Sequence, residues 1–413
     1  MTEEEVKKDG KVSRRKFLVR GGLGTVGVLA VGGYILRNPI RRRILDFTAH
    51  LPLPYSGDTS DPMMWFELTE DNHIILHSPK VEMGQGTFTS LAQIAADELE
   101  VSFEQMRVVH AATATGNIDG MSTGGSTSVS GLWKPLRELA ATMREMIKIK
   151  AADQMGIDIS SMTVKDGVIS ANGQSIAYAE VAKKAEDWEI PETPNLKEVR
   201  QYQFVGKPFP RIDLEDKVYG APIFGMDAEL PDMLYGAVVR PEQIGAKFVS
   251  ADASEAENMP GVIKVVQEQD FVGVVARSMT EAENAKTKIK VNWEGPKDLQ
   301  QKDLEKMMTV GNGKHTIIQK KGRALKDDNV LTLEFRTPIG AHAQLEPNGV
   351  LASVEGDRAT IIISTQVIGI TRKEVAERLG LKPDHVNVIP TYLGGGFGRR
   401  LHTPHAVHAA VMS

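Results

Sequence analysis

A chain of 413 residues that is 41% hydrophobic and 25% charged has the make-up of a folded protein with two or three cores, which excludes a disordered or fibrous one. A formal net charge of -5 excludes the basic face of a general nucleic-acid binder. Cysteine is absent, so the chain supplies no disulfide, no thiolate nucleophile and no iron–sulfur ligand, and any redox role needs a carried cofactor.

Residues 1–45 read as a targeting segment. Ser13 to Leu45 holds eight Lys or Arg and no acid, with sixteen uncharged residues from Gly21 to Leu36. Paired arginines in SRRKFL ahead of a weakly apolar, glycine-rich stretch resemble a twin-arginine export signal, which places the protein in the periplasm. As a helix that stretch would reach about 24 Å, short of the ~30 Å hydrocarbon layer, so a signal or an uncleaved membrane anchor fits better than a full span. Gly22, Gly24 and Gly27 match G-x-G-x-x-G by letter, but no strand precedes them and the match is chance.

After a Pro-rich connector, alternation from Trp65 to His77 predicts a strand or a hairpin about Glu70-Asp71-Asn72. A helix is predicted over Thr87–Leu99 and a strand over Met106–Ala111. A loop of small polar residues follows, and then a long amphipathic helix with Leu136, Leu139, Met143, Met146 and Ile147 on its core face. TVKDGVIS and ANGQSI predict short strands around DG and NG turns. Four prolines between Pro191 and Pro210 predict a linker. Four β-rich runs follow, Tyr235–Arg240, Gly261–Val266, Phe271–Ala276 and Lys288–Trp293, with a helix near Thr280–Lys286. Beyond a polar connector, a new alternating block opens with LTLEFRT and GVLASVEGDRATIIIST. It continues through a helix at Arg372–Leu379 and a strand at Val386–Pro390 into LGGGFGRR. The expected fold class is α+β and multi-domain, with segments 60–195, 196–295 and 330–413 and a linker over 296–329.

Glycine runs weaken any element they occupy, so GGGFGRR needs a reason. One reading is a tight strand-to-helix corner. The other is backbone approached closely by a polar guest, with amide N–H groups turned outward as donors.

MGQGT at 83–87, STGGSTS at 122–128, STQ at 364–366 and GGGFGRR at 394–400, taken with LPDMLYGAVVRPEQIGA and AHAQLEP, resemble the molybdenum-binding large subunit of the xanthine oxidase family. The similarity is greatest to the isoquinoline 1-oxidoreductase β-subunit branch and covers nearly the whole chain. It implies a molybdopterin-binding architecture with an a/b hammerhead-like domain over 196–295. It also implies a molybdenum-bearing molybdopterin, in the cytosine dinucleotide form, which is polar and phosphate-bearing and therefore needs dense amide donors when buried. Matching positions name Gly84, Gln85 and Gly86; Gly124, Gly125, Ser126 and Thr127; Gln366; and Gly395, Gly396, Phe397, Gly398 and Arg399 as cofactor-binding. No side chain is expected to ligate the metal. Each position has a plainer reading. Gln85 could cap the following helix, STGGSTS could be a surface loop, Gln366 could be an edge-strand residue, and Arg400 could be a solvated charge. Glu346 fits a structural role, and His402, His405 and His408 are too dispersed around a helix for a metal site.

The resemblance implies hydroxylation of an N-heterocycle or an aldehyde with water as oxygen source, and electron transfer to a small subunit carrying two [2Fe–2S] clusters. The general-base glutamate of the family has no counterpart here. The expectation is therefore a chain cut short at its C-terminus and inactive until its missing half, as a separate chain or otherwise, is supplied. A non-catalytic remnant and a periplasmic phosphate-binding protein are the competing readings.

Overall fold

The computed structural model describes residues 55, 57–120, 123–241, 245–295, 300–309, 311, 322, 331, 333–338 and 340–413; the targeting segment and most of the 296–329 connector lie outside them. Every element below falls within the unit Leu53–Ser413.

Strands β1 (Phe66–Leu68) and β2 (Ile74–Ser78) pair antiparallel, with Phe66 opposite Leu76. Asn72 closes the turn between them in the left-handed region, at φ 63°, where a short polar side chain is tolerated. Helix α1 (Thr87–Leu99) follows, then β3 (Met106–His110), which lies parallel to β2. α1 forms because Leu91, Ala92, Ala95 and Leu99 recur at helical spacing and are all buried. It stops where Glu100 turns left-handed and returns its N–H to Ala96. The long α2 (Ser128–Met155) lays Leu132, Leu136, Leu139, Met143 and Ile147 into the same core. The short strands β4 (Thr163–Lys165), β5 (Val168–Ala171) and β6 (Gln174–Ala177) form an antiparallel meander capped by α3 (Tyr178–Lys184).

The proline-bearing stretch predicted as a linker is bound down along part of its length. Buried Asp97 accepts the N–H groups of Gln203, Phe204 and Val205 at 2.7, 3.2 and 2.9 Å. Arg137 donates to the Lys197 carbonyl, and Phe209 packs on Phe103 at 4.8 Å between ring centres. Prolines block regular hydrogen bonding within the strap, and side chains of the first core supply it instead. α4 (Leu214–Tyr219) ends this part of the chain.

A second α+β unit follows: β7 (Tyr235–Val239), β8 (Lys247–Asp252), α5 (Ser254–Glu257), β9 (Val262–Gln267), β10 (Val272–Ala276), α6 (Met279–Lys286) and β11 (Lys290–Glu294). Its sheet runs β7-β10-β9, with the wholly buried β10 at the centre, and β8 pairs with β11 apart from it. β8 and α5 fall in a stretch with no clear period and were not expected. α7 (Gln301–Met308) stands beyond.

The last unit comprises β12 (Val350–Glu355), β13 (Arg358–Ile363), α8 (Ile368–Leu379), β14 (Val386–Pro390) and α9 (Pro404–Met412). β12 and β13 are antiparallel, while β13 and β14 are parallel. The order hairpin, helix, short 3-10 turn, parallel strand is thus the same as in β1-β2-α1-β3. The two units meet at Thr113, just past β3, which donates its N–H to the Val388 carbonyl at 3.1 Å and accepts the Val388 N–H on its hydroxyl at 2.7 Å. LTLEFRT alternates like a strand, yet residues 331 and 333–338 hold none, and Leu333 and Phe335 stand exposed. Among the described residues no helix is long and apolar enough to cross a membrane.

Candidate cofactor site

Because both units share one topology, their parallel strands end on four loops that each feed a helix: 79–86 into α1, 111–127 into α2, 364–367 into α8 and 391–403 into α9. Crevices outside the carboxyl ends of parallel strands are where such folds bind ligands. Direct bonds tie the four loops to one another. The Val81 N–H donates to the Thr123 hydroxyl at 3.0 Å, and buried Lys80 pairs with Asp119. The Leu393 N–H donates to the Glu82 carbonyl at 3.2 Å, and the Gln366 N–H to the Arg400 carbonyl at 3.1 Å. The Gln366 side chain donates to the Thr123 carbonyl at 2.7 Å. A Cβ on Gly396 would lie 2.8 Å from Gln366 Oε1 and 3.4 Å from Met83 Sδ, so glycine there keeps the three walls apart.

The MGQG turn is organised from within. The buried Glu82 carboxylate accepts the N–H groups of Gly84 and Gly86 at 2.8 and 3.1 Å and that of Phe88 at 3.1 Å. Arg211 bridges Glu82 and Asp213 at 3.0 and 2.9 Å and also donates to the Gly84 carbonyl. Burial raises the Asp213 pKa, but hydrogen bonds from Arg211 and Lys217 outweigh it and hold the carboxyl below its ordinary value. Gly84 and Gly86 sit at φ 99° and 79°, and nothing lies within 4 Å of a Cβ on Gly84. Their glycines therefore serve the backbone angle, and their N–H groups are bonded within the loop and not turned outward. Gln85 is likewise folded back, donating to the Val81 carbonyl at 2.9 Å and accepting the Met83 N–H at 2.6 Å.

In the small-polar loop, Gly125 and Ser126 both adopt φ 58°, and Thr127 closes the turn by donating its N–H and hydroxyl to the Gly124 carbonyl at 3.2 and 3.0 Å. The N–H groups of Gly125 and Ser126 have no partner among the described residues and lie at the start of α2.

The glycine loop after β14 differs from the MGQG turn in its amides. Gly395, Gly396, Phe397 and Gly398 present consecutive N–H groups that donate to no described residue. Gly395, Phe397 and Gly398 take φ values of 94°, 51° and 90°, and the Phe397 ring is 71% exposed. Arg399 fixes the loop's end through its N–H to the Gly396 carbonyl at 2.8 Å.

Arg400 is neither a solvated charge nor a free ligand contact. It is fully buried. Its five N–H donors meet the Gly395 carbonyl at 2.8 Å, the Ser364 carbonyl at 3.2 Å and hydroxyl, and the Glu346 carbonyl and carboxylate at 2.9 and 2.8 Å. Glu346 in turn accepts the N–H groups of Gly394 and Gly225 at 2.7 and 2.8 Å. Both residues hold the loop from behind. His110 is another support, half-buried and packed between Phe88 and Tyr392 at 4.8 and 4.9 Å, with Nε2 accepting the Glu82 N–H at 3.1 Å. Burial and the nearby Lys217 push its pKa down to about 3, so it is neutral and carries its proton on Nδ1.

Two buried amide oxygens have no partner among the described residues, Gln366 Oε1 and Gln344 Oε1. Gln344 lies against Gly395, whose Cβ would stand 3.4 Å from that of Gln344. It belongs to AHAQLEP, and nothing in the sequence singled it out. Unused donors on 395–398 and unpaired acceptors on Gln344 and Gln366 make a polar cradle too costly to leave empty of partners.

The family profile described as a molybdopterin cofactor-binding domain matches residues 48–228, and a second profile of the same description matches 306–413. The chain belongs to the xanthine oxidase family by its molybdopterin-binding domains. It is 27% identical to a subunit of the nicotinate dehydrogenase of Pseudomonas putida, over 85% of this chain and 31% of that one. It is 28% identical to a membrane-bound aldehyde dehydrogenase [pyrroloquinoline-quinone] of Gluconacetobacter polyoxogenes, over 98% and 55%. Against the β-subunit of the isoquinoline 1-oxidoreductase of Brevundimonas diminuta it is 25% identical, over 97% and 57%. The chain thus spans from 31% to 57% of the length of these relatives. The molybdopterin-binding profiles contain all four loops, and the cradle's donors and acceptors suit a polar guest of that kind. Among the described residues no group of three or more His, Asp or Glu could hold a metal; His405 and His408 are instead buried on α9.

Proposed function

We propose that this chain holds the molybdenum cofactor of a hydroxylase that oxidises an N-heterocycle or an aldehyde, with water as the source of oxygen. The observation that carries the reading is the convergence of the unused 395–398 amides with the unpaired Gln366 oxygen across Gly396. The cofactor supplies the two-electron redox centre when bound. The protein's part is to orient and to stabilise charge. Amides fixed in advance by Glu346 and Arg400 donate to the guest's oxygens without reorganising. The Gln366 amide offers a further polar contact, and Gly125, Ser126 and the start of α2 take the phosphate-bearing end. The resemblance implies the cytosine dinucleotide form of the cofactor.

Among the described residues general-base catalysis has no free candidate in the cradle. Glu82 and Glu346 are the described carboxylates beside it, and both are occupied by backbone N–H groups and an arginine. The base then comes from outside the described residues, and the described cradle by itself is inactive. A cysteine-free chain passes electrons to a partner, here an iron–sulfur subunit. Export through the twin-arginine route agrees with a cofactor inserted before translocation.

The test is production in a host that makes the dinucleotide cofactor, followed by metal and nucleotide analysis. One molybdenum and one cytosine nucleotide per chain are expected, with dye-linked dehydrogenase activity only after the remaining segment and the iron–sulfur subunit are added. A folded chain free of molybdenum would end this reading.

A further inference from the structure

Beside the glycine loop lies a group of basic side chains, of which His408 alone meets a described carboxylate. Arg240 follows β7, Arg399 follows the unused amides, and His405 opens the nine-residue α9. His408, one turn on from His405 on the same helix face, accepts from Arg240 Nη2 at 3.4 Å. Asp270 reaches this group but is already held by His408 Nε2 at 3.4 Å and by Arg378 at 2.9 Å. No described carboxylate pairs with Arg240 or Arg399. His405 is only 8% exposed, and its Nε2 is buried without a described partner.

We propose that Arg240, Arg399 and His405 form an anion site that takes the phosphate or carboxylate group of a ligand lying along the 395–398 amides. Like-charged groups gathered around the buried, unpartnered His405 Nε2 repel one another, a cost that a bound anion removes. The local electrostatics agree. Burial and the charge of Arg399 depress Arg240, and burial with Arg240 and its neighbours pushes His405 down to about 4. The start of α9 adds its own partial positive charge. Two sources present such a group next to the cradle: a phosphate of the cofactor, or a carboxylate on the substrate. The existence of the site does not depend on the proposed function; only the choice between these sources does.

The first experiment titrates the cofactor-free full chain with inorganic phosphate and, separately, with benzoate, by calorimetry. Arg240→Gln and Arg399→Gln are each expected to weaken binding about tenfold or more, with circular dichroism and melting unchanged. Arg277→Gln is the charge-matched control; it follows Ala276, at the end of β10 remote from the Val272–Val239 pair that precedes Arg240. Histidine resonances should show His405 gaining a proton as phosphate binds, since an adjacent anion favours the charged ring. No binding of either anion by the unaltered chain, or equal weakening by the control, overturns the site. In the cofactor-loaded enzyme, loss of molybdenum from Arg399→Gln identifies the cofactor phosphate. Retained molybdenum, with KM raised for carboxylated substrates and not for uncharged ones, identifies the substrate carboxylate. If neither quantity moves, the proposal fails. If the unaltered chain takes up no molybdenum, the proposed function fails and the phosphate titration still decides this site.

Discussion

Gln366 and Thr123 are joined twice: the Thr123 N–H donates to the Gln366 carbonyl at 2.9 Å, and the Gln366 side chain donates to the Thr123 carbonyl at 2.7 Å. A backbone pair and a side-chain bond between the same residues lock the second loop to the third. The side-chain oxygen is left facing Gly396, and this pair of hydrogen bonds therefore sets where the cradle's walls stand.

Gln366→Leu keeps the volume but removes the donor to a buried carbonyl. The expected cost is about 1–2 kcal/mol, read from urea denaturation, together with a several-fold drop in molybdenum retained per chain. Unchanged retention would separate this side chain from the cofactor.

Gly396→Ala tests the cradle without removing a hydrogen-bonding group. The new methyl group would sit 2.8 Å from Gln366 Oε1, so either the amide or the loop shifts. Gly396 is not among the residues with positive φ, and the methyl group adds no backbone strain of that kind. Stability is expected to change by no more than about 1 kcal/mol, whereas cofactor content should fall sharply. A fully loaded variant would show that nothing approaches this loop closely.

Glu346 and Arg400 differ in what each leaves behind. Glu346→Gln abandons a fully buried guanidinium, and a loss of about 3–5 kcal/mol is expected. Arg400→Met leaves a carboxylate that still accepts two N–H groups, from Gly394 and Gly225, and should cost less. Thermal and urea melts of both variants check the order; the reverse order would contradict the account of the pair.

Acid should unfold the protein through three histidines whose folded-state pKa is depressed. The folded-state pKa of His110 is about 3, and His405 and His408 lie near 4, against 6.5 for a free histidine. Each folded value is depressed, so below pH 6.5 the unfolded chain binds protons that the folded chain refuses. Their contribution is complete above pH 6.5 and is lost as pH falls towards 3 or 4. Each fully titrating ring adds a slope of about 1.4 kcal/mol per pH unit in that window. His110→Phe should flatten the stability curve between pH 6 and 4 in urea titrations; an unaltered slope would mean that His110 is protonated in the folded protein.

The helix at Thr87–Leu99 and the strand at Val386–Pro390 were legible from the sequence with their boundaries intact. Both have a clear period and a marked end. α8 starts four residues before its predicted start because Ile368 and Thr371 are buried where the sequence showed only a motif. LTLEFRT failed as a strand because alternation states which face is apolar, whereas a strand also needs a neighbouring edge to bond. The three glycine loops could be named in advance, but not the use to which each puts its amides. Glu82 closes those of the first loop, and no described residue closes those of the last.

Sequence alone determined what depends on neighbours a few residues away: helical and strand periods, the glycine-rich loops, and the absence of any thiol. Tertiary structure decided the rest. Thr123 and Gln366 are 243 residues apart, and no local rule brings them together. Arg400 is a buried keystone while the adjacent Arg399 pairs with no described carboxylate. Burial and hydrogen-bond partners are fixed by what packs around a side chain, and that is set by contacts distant in the chain.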